Sequence, residues 1–214
     1  MAASKAKAKA KPTTNDPRLN PIHAWFAQRN WTPLPFQQET WSAYLAGRNG
    51  LIQVPTGSGK TFAAVMGPIA RMLAEEQPLK GIRLLYITPL RALSRDLSLA
   101  IREPIEAMDW PIRVGIRNGD SSSSERTKQL KAPPQILVTT PESLALLLSN
   151  AKAEELFGQL ETVILDEWHE LMGSKRGSQT ELCLSWSQMT GQEQLDAVHD
   201  VGNLLGCQRG NLIV

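Results

Sequence analysis

Short apolar runs, each followed by a segment with a helical pattern, place the strongest constraint on the fold of this chain. The runs are rich in β-branched residues and are typical of buried strands. They cover residues 51–54, 82–88, 112–116, 136–139 and 162–165. Strands that alternate with helices form right-handed βαβ units, so the sequence predicts an α/β fold with a mostly parallel sheet and helices on both faces. Ligands of such sheets bind beyond the carboxyl ends of the strands.

Two predicted helices have clear start signals. Ser122 and Glu125 have the spacing of a capping box. Thr140, Pro141 and Glu142 combine a cap, a proline and an acid in the first turn. Both signals follow a predicted strand, which supports the alternation.

The length of 214 residues suits one α/β domain with tails. We expect residues 1–20, which begin with a Lys/Ala-rich stretch, to be a disordered basic tail that is irregular as far as Pro21. An arm that contacts phosphates is the alternative for this tail. Residues 21–185 would form the domain, and residues 186–214 a divergent C-terminal tail of uncertain fold.

Composition narrows the function classes only slightly. The formal net charge of +2 creates no field strong enough to name a partner. Cys183 and Cys207 form no Cys-x-x-Cys pair and the histidines are scattered, so we expect neither a disulfide framework nor a transition-metal site. No apolar run approaches the ~20 residues that span a bilayer, and the N-terminus lacks the apolar centre of a secretory signal. We therefore expect a cytoplasmic protein without a membrane partner, and find no signature of its oligomeric state.

A glycine-rich loop, Pro-Thr-Gly-Ser-Gly-Lys-Thr at residues 55–61, connects the first predicted strand to a helix. This is the context of a phosphate-binding loop. Its glycines let backbone N–H groups surround phosphates, Lys60 reaches the β- and γ-phosphates, and the Thr61 hydroxyl binds Mg²⁺. Val54 replaces the usual first glycine, and we expect it to crowd the loop without removing a phosphate donor. The predicted nucleotide contacts are Thr56, Gly57, Ser58, Gly59, Lys60 and Thr61.

Two carboxylates, Asp166 and Glu167, follow the fifth predicted strand in a Walker B arrangement. Asp166 would hold Mg²⁺, mostly through water, and Glu167 would orient and deprotonate the water that attacks ATP. An isolated Asp-Glu pair after a strand is usually solvated charge, but the phosphate loop upstream reverses that inference. Lys60, Asp166 and Glu167 are therefore predicted catalytic residues, with ATP and Mg²⁺ as cofactors.

Several blocks resemble the large helicase-related family of superfamily 2, in its ligase-associated Asp-Glu-x-His branch. Besides the phosphate loop, they are Trp25-Phe26, Phe36-Gln37, Trp41, residues 88–93, Gly119-Asp120, Glu125-Arg126, and residues 139–144, 166–171 and 173–177. The resemblance implies the RecA-like, ATP-binding lobe of an ATP-dependent helicase or translocase.

The resemblance also implies roles for single residues. Gln37 would read adenine, although a surface glutamine near Trp41 is the alternative, and His169 would be a fourth catalytic residue that links nucleotide state to the nucleic-acid track. This track would contact the backbone of single-stranded or tailed nucleic acid without reading bases. DNA rather than RNA is the expected partner, together with DNA-repair proteins, and Thr140 could serve only as a helix cap. The predicted nucleic-acid contacts are Arg91, Thr139, Thr140 and Pro141.

The resemblance ends near Ser185. In the family, a strand with Ser-Ala-Thr and a second RecA-like lobe with arginine fingers would follow, and we expect neither in residues 186–214. A shifted reading frame or a gene fragment explains this ending better than a genuine alternative C-terminus. We expect residues 211–214 to be too short to replace the missing strand, which would leave an unpaired sheet edge. We also expect weak nucleotide binding, no duplex unwinding and no ATP hydrolysis at a motor's rate by this chain.

Other classes share parts of the pattern. A signalling GTPase or a transporter ATPase would have the phosphate loop, but the chain has neither an Asn-Lys-x-Asp nor a Leu-Ser-Gly-Gly-Gln sequence. The motor lobe of a nuclease-linked translocase is one alternative. A catalytically inert module that binds nucleotide and nucleic acid is the other.

Overall fold

The computed structural model describes residues 16–55, 57–167 and 211–213. A 3-10 turn at Pro17–Leu19 precedes the first helix. The helices in these ranges are α1 (Asn20–Gln28), α2 (Pro35–Leu45), α3 (Lys60–Leu73), α4 (Arg91–Ala107), α5 (Ser123–Lys131), α6 (Pro141–Leu148) and α7 (Ala153–Phe157). The strands are β1 (Gly50–Leu51), β2 (Leu84–Ile87), β3 (Val114–Arg117), β4 (Ile136–Thr139), β5 (Thr162–Leu165) and β6 (Asn211–Ile213).

All the described strands run parallel in one sheet, in the order β1-β6-β5-β2-β4-β3. This sheet and its helices confirm the predicted α/β fold. Ile87, the last residue of β2, lies beside the last residues of β4 and β5, Thr139 and Leu165. The three carboxyl ends are therefore level, and the residues that follow these strands meet at one edge of the sheet.

The strand bounds agree with prediction at β4 and β5 and differ most at β1. β1 contains only Gly50–Leu51, and residues 52–55 approach the phosphate loop without strand pairing. Leu51 is 66% exposed, so β1 is not the buried strand that the sequence suggested. β1 pairs with β6 alone among the described strands, and pairing on one side gives it less support than a central strand receives.

The prediction for the last residues of the chain was wrong. Asn211–Ile213 forms β6, which pairs with β5 on one side and β1 on the other. Pairing needs only backbone donors and acceptors at matching spacing, so three residues suffice to join two strands. Length and position in the chain were poor guides, because they carry no information about the place in the sheet that these residues would fill.

The sheet separates two apolar clusters, as expected for helices on both faces. Leu84 and Tyr86 pack on one face with residues of α1 to α4, among them Trp41. Leu85 and Ile87 pack on the opposite face with residues of α6 and α7. This division follows from the alternation of side chains along a strand. With both faces covered, the carboxyl edge of the sheet is left to carry functional residues.

The helix starts agree only in part with prediction. The capping box is confirmed, because Glu125 N donates to Ser122 Oγ at 3.3 Å and Ser122 N donates to Glu125 Oε2 at 2.9 Å. Thr140 is the N-cap of α6, but its side chain makes no capping hydrogen bond. Its hydroxyl instead lies 3.3 Å from Ser143 Oγ.

The helical structure near the N-terminus begins earlier than predicted. Pro17–Leu19 is a 3-10 turn that continues into α1, whereas the sequence suggested irregular structure as far as Pro21. Asp16 caps this turn, since its carboxylate accepts a hydrogen bond from Arg18 N at 3.0 Å. The missed signal was an aspartate before a proline, a typical helix start.

A charged cluster ties the opposite, amino end of the sheet together. Arg83 is 8% exposed and donates to the Glu75 carboxylate and, at 2.5 Å, to the Glu161 carboxylate. The contacts link the chain after α3 to the chain before β5. No helix in the described ranges is long and apolar enough to cross a membrane.

Candidate functional site

The phosphate loop leads into α3 through two glycines with positive φ. Gly57 and Gly59 have φ of 80° and 85°, in the region that favours glycine. Ser58 Oγ donates to the Pro55 carbonyl at 2.6 Å, which closes a tight turn. Val54 is half-buried and packs against the larger apolar cluster, so the core accommodates this departure from the motif. The loop therefore curls at the N-terminus of a 14-residue helix, where anions are stabilised.

Gln37 joins α2 to this loop. Its Nε2 donates to the Gly59 carbonyl at 3.0 Å, and its Oε1 accepts from Leu34 N at 2.9 Å. Gln37 is 3% exposed, which excludes the alternative of a surface glutamine. A Cβ at Gly59 would lie 2.7 Å from Nε2, so this close contact depends on glycine. Gln37 therefore ties the phosphate loop to the start of α2.

Lys60 and Glu167 meet at the carboxyl end of the sheet. Lys60 Nζ lies 3.5 Å from Glu167 Oε1, and the two side chains are 18% and 27% exposed. Glu167 has φ of 48°, which is uncommon for a residue other than glycine and is often found at functional sites. Glu167 N donates to Asp166 Oδ1 at 3.1 Å. The phosphate-loop lysine and the two carboxylates therefore form one cluster.

Asp166 is more deeply buried than its neighbour. Its N–H donates to the Ile87 carbonyl at 2.9 Å, and the residue is 7% exposed. Burial raises the pKa of Asp166 and the charge of Glu167 raises it further, whereas Lys60 and a hydrogen bond from the Tyr86 hydroxyl oppose the rise. Burial, with a contribution from Asp166, also raises the pKa of Tyr86 well above its ordinary value.

Tyr86 belongs to this site although no motif in the sequence indicated it. Tyr86 pairs with Ile164, two residues before Asp166, so the two side chains lie on the same face of the sheet. The available signal was a tyrosine within an otherwise aliphatic strand. A buried tyrosine hydroxyl needs a polar partner, but only the strand order shows that the partner is Asp166.

The oxygen atoms at this edge suit Mg²⁺. This ion usually keeps several waters and takes one or two carboxylates together with substrate phosphates. The Asp166 carboxylate and the Thr61 hydroxyl, beside Lys60 at the start of α3, are donors of the required type. Among the described residues, no group of three or more His, Cys, Asp or Glu could hold a metal ion.

Arg91, the first residue of α4, lies over Gly119 at the carboxyl end of the sheet. Arg91 Nη1 is 3.5 Å from Asp120 Oδ1, and the two side chains are 62% and 74% exposed. A Cβ at Gly119 would lie 2.5 Å from Arg91 Cζ, so glycine leaves room for the guanidinium group. An exposed arginine at this place can contact a phosphate.

The other predicted track residues have buried side chains. Thr139 is fully buried and its hydroxyl donates to the Arg117 carbonyl at 2.7 Å, while Thr140 is 1% exposed and Pro141 is also buried. Arg117 itself is buried, which lowers its pKa. These side chains pack inside the protein. A strand contact here would use the first N–H groups of α6, which have no acceptor within the helix.

The structure thus gathers Gln37, Lys60, Asp166 and Glu167 around the phosphate loop. Two predicted residues, Thr56 and His169, lie outside the described residues. Most of the predicted C-terminal tail, residues 186–210 and 214, also lies outside them.

A phosphate loop beside a Walker B carboxylate pair on a parallel sheet defines a nucleotide-binding lobe of the P-loop class. The chain belongs to the DEAD/DEAH box helicase family, whose model matches residues 34–196.

Two named proteins with similar sequences support the assignment to a helicase family. The chain is 39% identical over 171 residues to "Lhr helicase/ probable uracil glycosylase" of Mycolicibacterium smegmatis, covering 75% of this chain and 11% of that protein. It is 39% identical over 166 residues to "ATP-dependent helicase Lhr-Core" of Sulfolobus acidocaldarius, covering 73% of this chain and 19% of that protein. These matches confirm the resemblance to large helicase-related proteins. The chain spans only 11% and 19% of these two relatives.

Solved structures confirm the RecA-like fold. Mycobacterium smegmatis helicase Lhr bound to ssDNA and AMP-PNP matches with a TM-score of 0.75 and 33% identity, covering 92% of this chain and 25% of that chain. DEAD-box helicase Mss116 bound to ssRNA and UDP-BeF matches with a TM-score of 0.74 over 91% of this chain and 42% of that one. At 17% identity, the second match shows a shared fold alone.

Proposed function

We propose that this chain is the ATP-binding lobe of a nucleic-acid helicase or translocase. It binds MgATP at the phosphate loop and single-stranded nucleic acid, preferably DNA, beyond the carboxyl ends of the strands. The observation that carries this proposal is the contact between Lys60 Nζ and Glu167 Oε1, 3.5 Å apart at the loop. The likeness to M. smegmatis Lhr, whose structure includes ssDNA and AMP-PNP, supports both ligands.

Each residue of the site has a proposed role. Lys60 turns from Glu167 toward the β- and γ-phosphates, while Thr61 and Asp166 hold Mg²⁺. When bound, Mg²⁺ neutralises the charge that develops on the phosphates. Glu167, released from Lys60, orients the attacking water and accepts its proton. Gln37 holds the loop in place and reads adenine, and His169 couples the site to the nucleic-acid track.

The proposed lobe comprises residues 21–185, with tails at 1–20 and 186–214. Two features of the sheet and its helices enlarge this unit. The Pro17–Leu19 turn continues into α1, and Asn211–Ile213 adds a strand to the sheet. We propose that these short segments belong to the same folded body.

Replacing Lys60 with alanine tests the nucleotide site. Loss of a charge-assisted contact with phosphate costs about 1.5–3 kcal/mol, so affinity for MgADP should fall ten-fold or more. Isothermal titration calorimetry measures this affinity, and circular dichroism verifies that the variant is folded. Lys80→Ala removes an exposed lysine outside the site and is the matched control. Equal affinities for all three proteins would refute the site.

Replacing Arg91 with alanine tests the nucleic-acid track. Arg91 is 62% exposed at the carboxyl edge, so its removal should weaken binding of single-stranded DNA and reduce the dependence on salt. Fluorescence anisotropy titrations at several salt concentrations give both quantities. Lys152→Ala, which removes an exposed cation elsewhere, should leave them unchanged. The track is misplaced if the two variants behave alike.

ATP turnover with and without single-stranded DNA separates the motor from the binding module. Turnover that rises with DNA and disappears in Glu167→Gln supports a motor lobe, because Glu167 is the proposed general base. Binding of both ligands without turnover by the intact chain supports the inert module. The motor lobe of a nuclease-linked translocase has the same ATP-binding site and would show the same DNA-stimulated ATP turnover.

A further inference from the structure

A groove of about 1020 Å³ runs along the outer edge of β3, between α4 and α5. We call it the β3 groove. Three of its residues, Arg91, Arg95 and Arg102, lie along one side of α4 at spacings of four and seven residues. At ~1.5 Å of rise per residue, these arginines extend over ~16 Å of the helix. Arg91 belongs to the proposed track, so the groove begins where that track reaches the edge of the sheet.

The charge of the groove is predominantly positive. Five cationic and three acidic side chains line it, a difference of +2. Two of the acids are already engaged: Asp120 lies 3.5 Å from Arg91, and Glu125 accepts two hydrogen bonds from Ser122 at the start of α5. Two of the cations, Arg95 and Lys128, are exposed and have no ion-pair partner within the described ranges. They are therefore available to an anionic ligand.

The β3 edge is closed to an added peptide strand. Arg102 Nη2 donates to the Val114 carbonyl and Gln129 Nε2 donates to the Ile116 carbonyl, both at 2.8 Å. A peptide that extends a sheet needs such carbonyl groups as acceptors. A phosphate backbone needs only donors and positive charge. The contacts at the edge thus favour a nucleic-acid ligand over an extended peptide.

We propose that the β3 groove binds the sugar–phosphate backbone of nucleic acid that continues past the track, with Arg95 and Lys128 as phosphate contacts. This proposal rests on the proposed function, because it needs a strand at Arg91. It predicts that the protein contacts a longer stretch of nucleic acid than the carboxyl ends of the strands could contact by themselves. Contacts of this kind add affinity without sequence preference.

Fluorescence anisotropy with probes of different reach tests the groove. The probes are a single strand of about six nucleotides, a single strand of about eighteen nucleotides, and the short strand continued into a duplex. The two lengths lie near the lower and upper limits of the number of nucleotides that single-strand binding sites usually contact. In the double variant Arg95→Ala/Lys128→Ala, affinity for a probe that enters the groove should fall ten-fold or more. The salt slope should fall by about 1.4 for a single strand or about 1.8 for a duplex, two contacts being lost. Binding of the short probe should not change.

The matched control is Lys80→Ala/Lys152→Ala, which removes the same charge outside the groove. An effect on the long single strand identifies single-stranded nucleic acid as the occupant, and an effect confined to the tailed duplex identifies a duplex. Equal results for the two double variants on both extended probes would overturn the proposal. The proposal would also be overturned if Arg95→Ala/Lys128→Ala lost binding to a polyglutamate peptide while its affinity for nucleic acid stayed unchanged. If Arg91→Ala leaves the short probe unaffected, the track fails, whereas the extended probes still decide the groove.

Discussion

Replacing Tyr86 with phenylalanine tests whether the tyrosine hydroxyl stabilises the charged form of Asp166. The ring is 1% exposed, and phenylalanine preserves its packing while removing only the hydroxyl. A hydrogen bond to a charged group contributes about 1.5–3 kcal/mol net, and a neutral one about 0.5–1.5 kcal/mol. We expect the free energy of unfolding to fall by about 2 kcal/mol at a pH above the folded pKa of Asp166, where this carboxylate is charged.

The loss should depend on pH. The Tyr86 hydrogen bond lowers the pKa of Asp166, so its removal raises a folded-state pKa that burial has already raised. A raised folded pKa costs stability above that pKa and costs none below the unfolded value of ~3.9. The difference between Tyr86→Phe and the parent should thus be greatest at neutral pH. It should shrink toward about 1 kcal/mol, the value of a neutral hydrogen bond, as the pH falls through the folded pKa.

Tyr44→Phe is the matched control for this experiment. Tyr44 is equally buried, and its hydroxyl lies 2.6 Å from Thr162 Oγ1 and also interacts with Arg71. Neither partner changes charge between neutral and mildly acidic pH, so the loss should be constant. Urea unfolding followed by tryptophan fluorescence at about pH 7 and pH 4 measures both variants. The reasoning is refuted if Tyr86→Phe loses the same free energy at both pH values.

Three further changes have defined outcomes. Gly59→Ala puts a Cβ 2.7 Å from Gln37 Nε2 at a positive φ. Urea unfolding should show that the free energy of unfolding falls by about 1–2 kcal/mol, and calorimetry should show a weaker affinity for MgADP. Unchanged affinity would contradict the role of this contact. Asp166→Asn removes a buried carboxyl group with a raised pKa, so the melting temperature should rise at neutral pH. This rise in melting temperature should vanish below the ordinary pKa of 3.8. A lower melting temperature at neutral pH would show that the carboxylate stabilises the fold. Arg83→Met leaves two glutamates without their cation and should lower the free energy of unfolding by about 3 kcal/mol in urea titrations, whereas Lys152→Met should have little effect.

The strands and helix starts show where sequence patterns were reliable. β4 and β5 occupy the predicted residues, and Ser122 and Glu125 form the predicted capping box. These features depend on local patterns of apolar, β-branched and capping residues, which the sequence displays directly. The placement of the loop before α3 was predictable for the same reason, since its motif needs only a preceding strand and a following helix.

The predicted track residues differ in burial, which the sequence pattern does not show. Arg91 is exposed, whereas Thr139 and Thr140 are buried. All three lie at or just beyond the carboxyl ends of strands that end at the same edge of the sheet. The sequence pattern cannot distinguish an exposed position from a covered one there. Packing against neighbouring elements makes that distinction.

Local patterns in the amino-acid sequence were sufficient for the α/β class, the phosphate loop and the carboxylate pair, because propensity, capping and motif spacing act over a few residues. The assembled sheet alone established that Lys60 reaches Glu167, that Tyr86 lies on the same face as Asp166 and that Asn211–Ile213 fills the place between β5 and β1. These relations join residues far apart in the chain, and strand order, register and burial set them. Strand order, register and burial are fixed only when the whole core packs.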